Sequence, residues 1–276
     1  MTASLSFSEL SLPPIGFGTG RAHGLAGIES LHSAFDAGYR LLDSAFNYEN
    51  EGTVGRAVRT AGIPRDEFIV TSKLPGRRHA RAEATFTIEE SLFRTGLDHI
   101  DLYLIHWPNP RVDQYVEAWE ALIDARERGL IRHIGVSNFL PEHLERLETE
   151  TGVRPVVNQI ELHPWFPQEA AVIYHRERGI ITEAWSPLGR GNGVTADPVI
   201  ERIAAGHDVS PAEIVLAWHV ARGVVPIPRS ASPERQRLNI AAAHIELSAE
   251  EIALITALGR PDGRLADQDP AVYEEF

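Results

Sequence analysis

The sequence predicts an α/β protein, a single (β/α)8 barrel over residues 1–276 with an irregular tail at 261–276. Three observations predict it. Short apolar runs alternate with amphipathic helical patterns along the whole chain. The strand-like runs number eight, the count that closes such a barrel. No low-complexity linker, internal repeat or shift in composition divides the chain, and its length suits one barrel. An open doubly wound sheet is the alternative.

In order, the expected strands are Ile15–Phe17, Tyr39–Leu42, Phe68–Ser72, Leu102–Ile105, Ile131–Val136, Val156–Ile160, Ile180–Ala184 and Val224–Ile227. Each is a short apolar run of the kind that a strand covered on both faces requires. The helical patterns between them fall at Gly27–Ala37, Gly52–Thr60, Arg81–Thr95, Gln114–Gly129, Pro141–Thr149, Gln168–Gly179 and Asp197–Arg222. A further helix starts at Pro233 behind the N-cap candidate Ser232. The tail from Pro261 either lies over a barrel mouth or is a disordered end; the sequence leaves both open.

Composition narrows the chemistry. There is no cysteine, which removes disulfides, thiolate catalysis and Cys-based zinc sites. The formal charge of −13 argues against nucleic acid and anionic membranes. No run has transmembrane length, and Met1–Phe7 lacks the basic and apolar regions of a signal peptide. The expectation is a cytoplasmic protein.

Barrel enzymes carry their sites at the C-terminal ends of the strands. Polar residues gather there in this chain. Asp43 ends the second strand, with Tyr48 in the loop beyond. Lys73 ends the third and His106 the fourth; Ser137 and Asn138 end the fifth. Gln159, Glu161 and His163 lie at the end of the sixth, and Trp185 and Ser186 at the end of the seventh. Lys73 stands out, because the 26 basic residues comprise 25 arginines and this one lysine. A position that keeps lysine against such a bias suits a compact cation whose pKa burial can tune. Taken singly, each residue has a plain reading: a snorkelling lysine, a rim histidine, a half-buried tyrosine or a capping aspartate. Together they form a proton-donating site. An ammonium lowers a tyrosine pKa, a carboxylate holds the ammonium charged, and a histidine orients a substrate oxygen. That set protonates a developing alkoxide, as carbonyl reduction requires, and the hydride must come from a cofactor.

Gly16–Arg21 and Gly189–Gly193 both fall short of a complete G-x-G-x-x-G and read as loop turns. A better phosphate site follows the eighth strand, where Arg229 and Arg235 flank the helix start at Ser232-Pro233. The twelve histidines show no metal-site spacing, and Glu161 with His163 lacks a third ligand. Trp119 and Trp218 read as core fillers, and Arg126 and Arg128 as a solvated helix face.

These motifs resemble the aldo-keto reductase superfamily. The resemblance rests on Gly38–Ala45 with Tyr48 and Asn50-Glu51, on Ser72-Lys73, Asp101–Pro108, Gly135–Phe139, Asn158–Pro164 and Trp185–Gly189. It runs from about Ile15 to Arg264, and the look is closest to bacterial 2,5-diketo-D-gluconate reductase-like members. The resemblance implies metal-free, NADPH-dependent reduction of aldehydes and ketones by a monomer. It makes Tyr48 the general acid, Lys73 its pKa-lowering partner, Asp43 the partner of Lys73, and His106 the group that orients the carbonyl. It also places Ser137, Asn138 and Gln159 on the nicotinamide carboxamide and Trp185 against the ring. Ser186 and Leu188 would meet the pyrophosphate, Arg229, Ser230 and Arg235 the 2′-phosphate, and Asn239 the adenine. Four positions depart from the family pattern. Arg229 replaces a common lysine, Leu238 a common glutamate, and Gly20 and Pro75 stand where many members carry pocket aromatics. A cofactor-binding redox sensor and a metal-dependent isomerase or hydrolase on the same barrel are the competing functions.

Overall fold

The computed structural model describes residues 5–7 and 10–276. Strands β1 (Leu5–Phe7) and β2 (Leu10–Leu12) form a short antiparallel hairpin. The repeating unit then begins: β3 (Phe17–Gly18), α1 (Gly24–Asp36), β4 (Leu41–Asp43), α2 (Glu51–Thr60), β5 (Ile69–Leu74) and α3 (Arg81–Thr95). It continues through β6 (Ile100–Ile105), α4 (Tyr115–Glu127), β7 (Ile131–Ser137), α5 (Pro141–Thr151), β8 (Val157–Glu161) and α6 (Glu169–Glu177). The last part holds β9 (Ile181–Trp185), α7 (Pro198–His207), α8 (Pro211–Ala221), β10 (Val224–Pro226), α9 (Pro233–Ala241) and α10 (Ala249–Thr256).

Strands β3 to β10 pair in chain order, all parallel, as an eight-stranded sheet. The sheet curls until its edges meet: Gly16 N–H donates to Pro226 O at 3.0 Å and Gly18 N–H to Pro228 O at 2.9 Å. The (β/α)8 expectation therefore holds, and all eight expected strands form. Closure matters because a parallel sheet of this kind would otherwise expose two unpaired edges.

The strand interiors fill with Leu41, Leu102, Leu104, Val157, Ile181, Val225 and Ile227, and β2 adds Leu10 and Leu12 to the same cluster. Larger residues fill the space between sheet and helices. Trp119 and Trp218 are fully buried there, each with its indole N–H satisfied, by Val153 O at 3.1 Å and by Thr256 Oγ1 at 3.0 Å.

One expectation needs correction, and two elements were not foreseen. The pattern Asp197–Arg222 is two helices, because Asp208 adopts a left-handed φ of 54° that ends α7. Ser210 and Glu213 then form a capping box, and Pro211 opens α8. Helix α10, opened by a second capping box at Ser248 and Glu251, was not expected. Nor was the hairpin, although Leu10-Ser11-Leu12 shows the buried-exposed-buried alternation of a strand.

Candidate active site

The alternation of side chains along parallel strands turns Asp43 and Lys73 into the barrel at its C-terminal end. Lys73 is fully buried. Its Nζ donates to Asp43 Oδ1 at 2.6 Å and to Ser44 O at 2.8 Å. Burial works against the ammonium charge, but Asp43, followed by Tyr48 and Glu183, outweighs it and raises the lysine pKa. Tyr48 closes a single 3-10 turn, Phe46–Tyr48, that directly follows β4. Lys73 Nζ lies 5.4 Å from the centre of its ring. The His106 ring meets it edge-on, with centroids 6.1 Å apart. The four residues expected from sequence thus lie around one point.

The electrostatics differ from expectation in one respect. Burial is the largest influence on Tyr48 and raises its pKa; Lys73 lowers it, and Asp43 partly cancels Lys73. The net direction is upward. The phenol is therefore held protonated at neutral pH, with a cation below that would steady the phenolate once the proton leaves.

Behind the pair lies a carboxylate that sequence reasoning missed. Gln159 Nε2 donates both to Asp43 Oδ1 at 2.8 Å and to Glu183 Oε2 at 2.7 Å. Burial, then Asp43, pushes the Glu183 pKa up to about 7. The signal in the sequence was a single acid inside the apolar run Ile180–Ala184. Of the two readings left open for the C-terminal tail, the one that lays it over the barrel mouth is what the structure shows. Tyr273 packs on Trp107 at 4.5 Å, and Glu275 reaches His106, with Oε1 2.8 Å from Nδ1. That contact lies off the ring N–H axis and is not an aligned hydrogen bond. Burial alone would push the Glu275 carboxyl up. His106, the Gly76 N–H and Asn47 outweigh burial and hold it below the usual carboxylate value.

The residues expected to hold a cofactor form a continuous band beside this centre. Ser137 Oγ donates to Gln159 O at 2.8 Å, and Asn138 Nδ2 donates to His106 O and to Ser137 Oγ, both at 3.0 Å. Asn138 takes a left-handed φ of 63°, and its Oδ1 accepts from the Trp185 indole N–H at 2.7 Å. Ser186 Oγ accepts from Arg190 Nε at 2.6 Å, and the Arg190 guanidinium lies 5.1 Å from the Trp185 ring centre. Leu188 packs between two core clusters.

Beyond β10, Ser232 caps α9 by accepting from Arg235 N–H at 3.4 Å, with Pro233 in the first turn as expected. Ser230 Oγ accepts from Ser232 N–H at 3.1 Å. Gln236 pins this turn to α1 by donating to Ser230 O at 2.9 Å and accepting from Ser33 Oγ at 2.7 Å. Asn239 is buried one turn further along. Arg229 and Arg235 are exposed. Burial, then Arg21 and Arg190, lowers the Arg229 pKa. None of Arg21, Arg190, Arg229 and Arg235 has a carboxylate partner among the described residues. Unpaired, mutually repelling guanidinia beside a capped helix start fit a polyanion with several phosphates. Arg21 and Arg190 were not expected from sequence; they become neighbours of Arg229 only when the barrel closes.

Glu161 and His163 hydrogen-bond each other at 3.1 Å, and Leu265 N–H donates to Glu161 at 2.7 Å. They tie the tail to β8, and no group of three or more potential metal ligands occurs among the described residues. No described helix is long and apolar enough to cross a membrane.

Residues 14–260 match the model of the aldo/keto reductase family. The chain is 52% identical over 261 residues to 2,5-diketo-D-gluconic acid reductase B of Corynebacterium sp. (strain SHS752001), covering 95% of this chain and 94% of that one. It is 40% identical over 260 residues to a methylglyoxal reductase of Escherichia coli (strain K12), covering 94% and 93%. Among solved structures, a mutant of Gox0644 in complex with NADPH superposes with a TM-score of 0.93 at 38% identity, covering 99% of both chains. An aldo-keto reductase of Bombyx mori in complex with NADP superposes with a TM-score of 0.90 at 34% identity, covering 100% of this chain and 98% of that one.

Proposed function

The chain belongs to the aldo/keto reductase family, and from that premise we propose that it reduces aldehydes and ketones to alcohols with NADPH, Tyr48 being the general acid. The observation that carries this reading is the buried Lys73–Asp43 pair at 2.6 Å beneath the Tyr48 ring and beside His106.

Each residue has a derivable task. Tyr48 keeps its proton until negative charge develops on a substrate oxygen, because burial disfavours the free phenolate. Lys73 stabilises the phenolate left after transfer, and Asp43 keeps Lys73 charged in a site that would otherwise discharge it. His106 orients the carbonyl oxygen. Bound reduced nicotinamide supplies the hydride. Ser137, Asn138 and Gln159 would hold its carboxamide and Trp185 its ring face. Ser186 and Leu188 would follow the pyrophosphate, Arg229, Ser230 and Arg235 the 2′-phosphate, and Asn239 the adenine. The unpaired arginines support the phosphate part of this assignment.

Small dicarbonyls and keto-sugars are the substrate class we favour, because the related proteins are named as diketogluconate and methylglyoxal reductases. The same reading has the chain act as one domain and a monomer, in the cytoplasm, without metal, nucleic acid or membrane partner; the charge of −13 supports the exclusion of nucleic acid and anionic membranes. The test is NADPH consumption against a panel that includes methylglyoxal and 2,5-diketo-D-gluconate. Turnover of at least one is expected. Tight NADPH binding with no turnover across the panel would overturn the assignment and leave a cofactor-binding protein.

A further inference from the structure

We propose that Glu275, carried by the C-terminal tail, is a positioning residue for the reduction: its carboxylate, seated at Nδ1, fixes the His106 ring so that Nε2 is the nitrogen that meets the substrate oxygen. The proposal rests on the reading of His106 as the group that meets the substrate oxygen.

The tail holds no helix or strand after residue 256, yet its penultimate residue is locked into the barrel mouth. Glu275 is 9% exposed, whereas Phe276 beside it is 79% exposed. Three different strand-end loops hold it. Asn47, next to Tyr48 after β4, donates Nδ2–H to Oε1 at 2.9 Å. Gly76, after β5, donates its N–H to Oε2 at 2.8 Å. Asn109, after β6, clamps the main chain from both sides: its Oδ1 accepts from Glu275 N–H and its Nδ2 donates to Glu275 O, each at 3.0 Å.

The clamp is built into the fold. Asn109 is fully buried and takes a left-handed φ of 46°. Gly76 leaves room for it; a Cβ there would come within 2.4 Å of Asn109 Oδ1. Glu274 adds an outer tie, accepting from Arg111 N–H at 2.7 Å. This set of contacts places one carboxylate oxygen 2.8 Å from His106 Nδ1. Among the described residues no hydrogen bond to His106 Nε2 is made, and that nitrogen is left for a ligand.

With Nδ1 occupied by the Glu275 carboxylate, Nε2 is the ring nitrogen left to meet a carbonyl oxygen. Other charged and titratable groups face Glu275. His79 is buried, with its pKa lowered to about 4 by burial, and stays neutral in the working range. Glu275 works upward on Tyr48. Arg77 acts at one remove, donating to Asn47 Oδ1 at 2.6 Å. Tyr48 serves in its protonated form, and Glu275 favours that form. Loss of its charge therefore moves the alkaline fall of activity in one direction, toward lower pH.

The experiment compares full-length wild type with Glu275→Gln and Glu275→Asp. One arm measures kcat and KM for methylglyoxal against pH with NADPH saturating. The other records the His106 ring-nitrogen signals by NMR in the free protein. For Glu275→Gln, kcat should fall about tenfold, its alkaline limb should shift down by roughly one pH unit as Tyr48 loses an anion that favours its proton, and the His106 Nδ1 signal should move. Glu275→Asp should restore most of these changes. Unchanged His106 ring signals in Glu275→Gln, with any effect confined to KM, would overturn the proposal and leave the tail as a pocket wall. If wild type itself does not turn over, the reductase reading fails, and the His106 ring signals still decide the role of Glu275.

Discussion

Tyr48 and Lys73 divide one task, and substitutions at each separate chemistry from binding. Tyr48→Phe removes only the hydroxyl and leaves the ring that packs beside His106. We expect kcat to fall by roughly 10²–10⁴-fold, the range of a positioned general acid, while NADPH affinity measured by calorimetry stays within about twofold. Equal loss of both would make Tyr48 structural. Lys73→Arg keeps the charge but must seat a wider, forked group where Nζ now meets Asp43 Oδ1 at 2.6 Å and Ser44 O at 2.8 Å. The buried site has no room to spare, and overpacking costs about 1–3 kcal/mol. A drop in both Tm and kcat is expected; a wild-type kcat across pH would mean that any cation suffices. This residue was legible in the sequence because one lysine among 25 arginines marks its own position. Glu275 was not. An acid near a chain end carries no periodicity, and its partners Asn47, Gly76 and Asn109 lie more than 160 residues away in sequence.

At the level of elements, strands were more legible than helix ends. A buried strand is a short apolar run, so all eight could be marked to within a few residues. The Asp197–Arg222 pattern stayed apolar at helical spacing across a break that only Asp208 and the Ser210–Glu213 box reveal. Where the capping signal was read, at Ser232-Pro233, the helix begins as expected. That start gives the element-scale prediction. Arg235 is exposed, and its side chain has no ion-pair partner among the described residues, so Arg235→Ala removes little from the fold. If the guanidinium grips a 2′-phosphate, the variant should bind NADPH about tenfold more weakly, the loss of about 1.5 kcal/mol from one charged hydrogen bond. NADH, which lacks that phosphate, should be nearly unaffected. Equal weakening of both cofactors, read from their dissociation constants, would remove Arg235 from the phosphate site.

For the whole molecule, the barrel ties its acid stability to the loop that carries Asn138. His175 on α6 is buried, and its neighbours suit only the neutral ring: Nδ1 meets Thr182 Oγ1 at 2.9 Å, and Nε2 faces the Asn158 amide nitrogen at 2.9 Å. Asn158 cannot turn over to suit a protonated ring. Its Nδ2 also donates to Phe139 O at 2.8 Å, and its Oδ1 accepts from Phe139 N–H at 3.3 Å. Those two bonds hold the turn after β7, next to Asn138. Burial accordingly lowers the His175 pKa from 6.5 to about 4, and that of His79 equally. The sign follows from proton counting. Between about 6.5 and about 4 the unfolded chain binds protons at these two rings that the folded chain refuses, so stability falls as pH falls, by up to about 1.4 kcal/mol per pH unit for each ring. Glu183 pulls the other way, since its raised pKa of about 7 favours the folded state on acidification, and Glu51, raised by burial, does the same, but a third buried ring, His219, lowered to about 4 by burial, adds to the two histidines. Calorimetric Tm should therefore decline through this window. The Phe139 amide should lose hydrogen-exchange protection before the strands of the barrel do, because its bond to Asn158 depends on the neutral ring. A Tm that is flat from pH 6.5 to 4, or Phe139 protection that persists until global unfolding, would show that His175 does not control this turn.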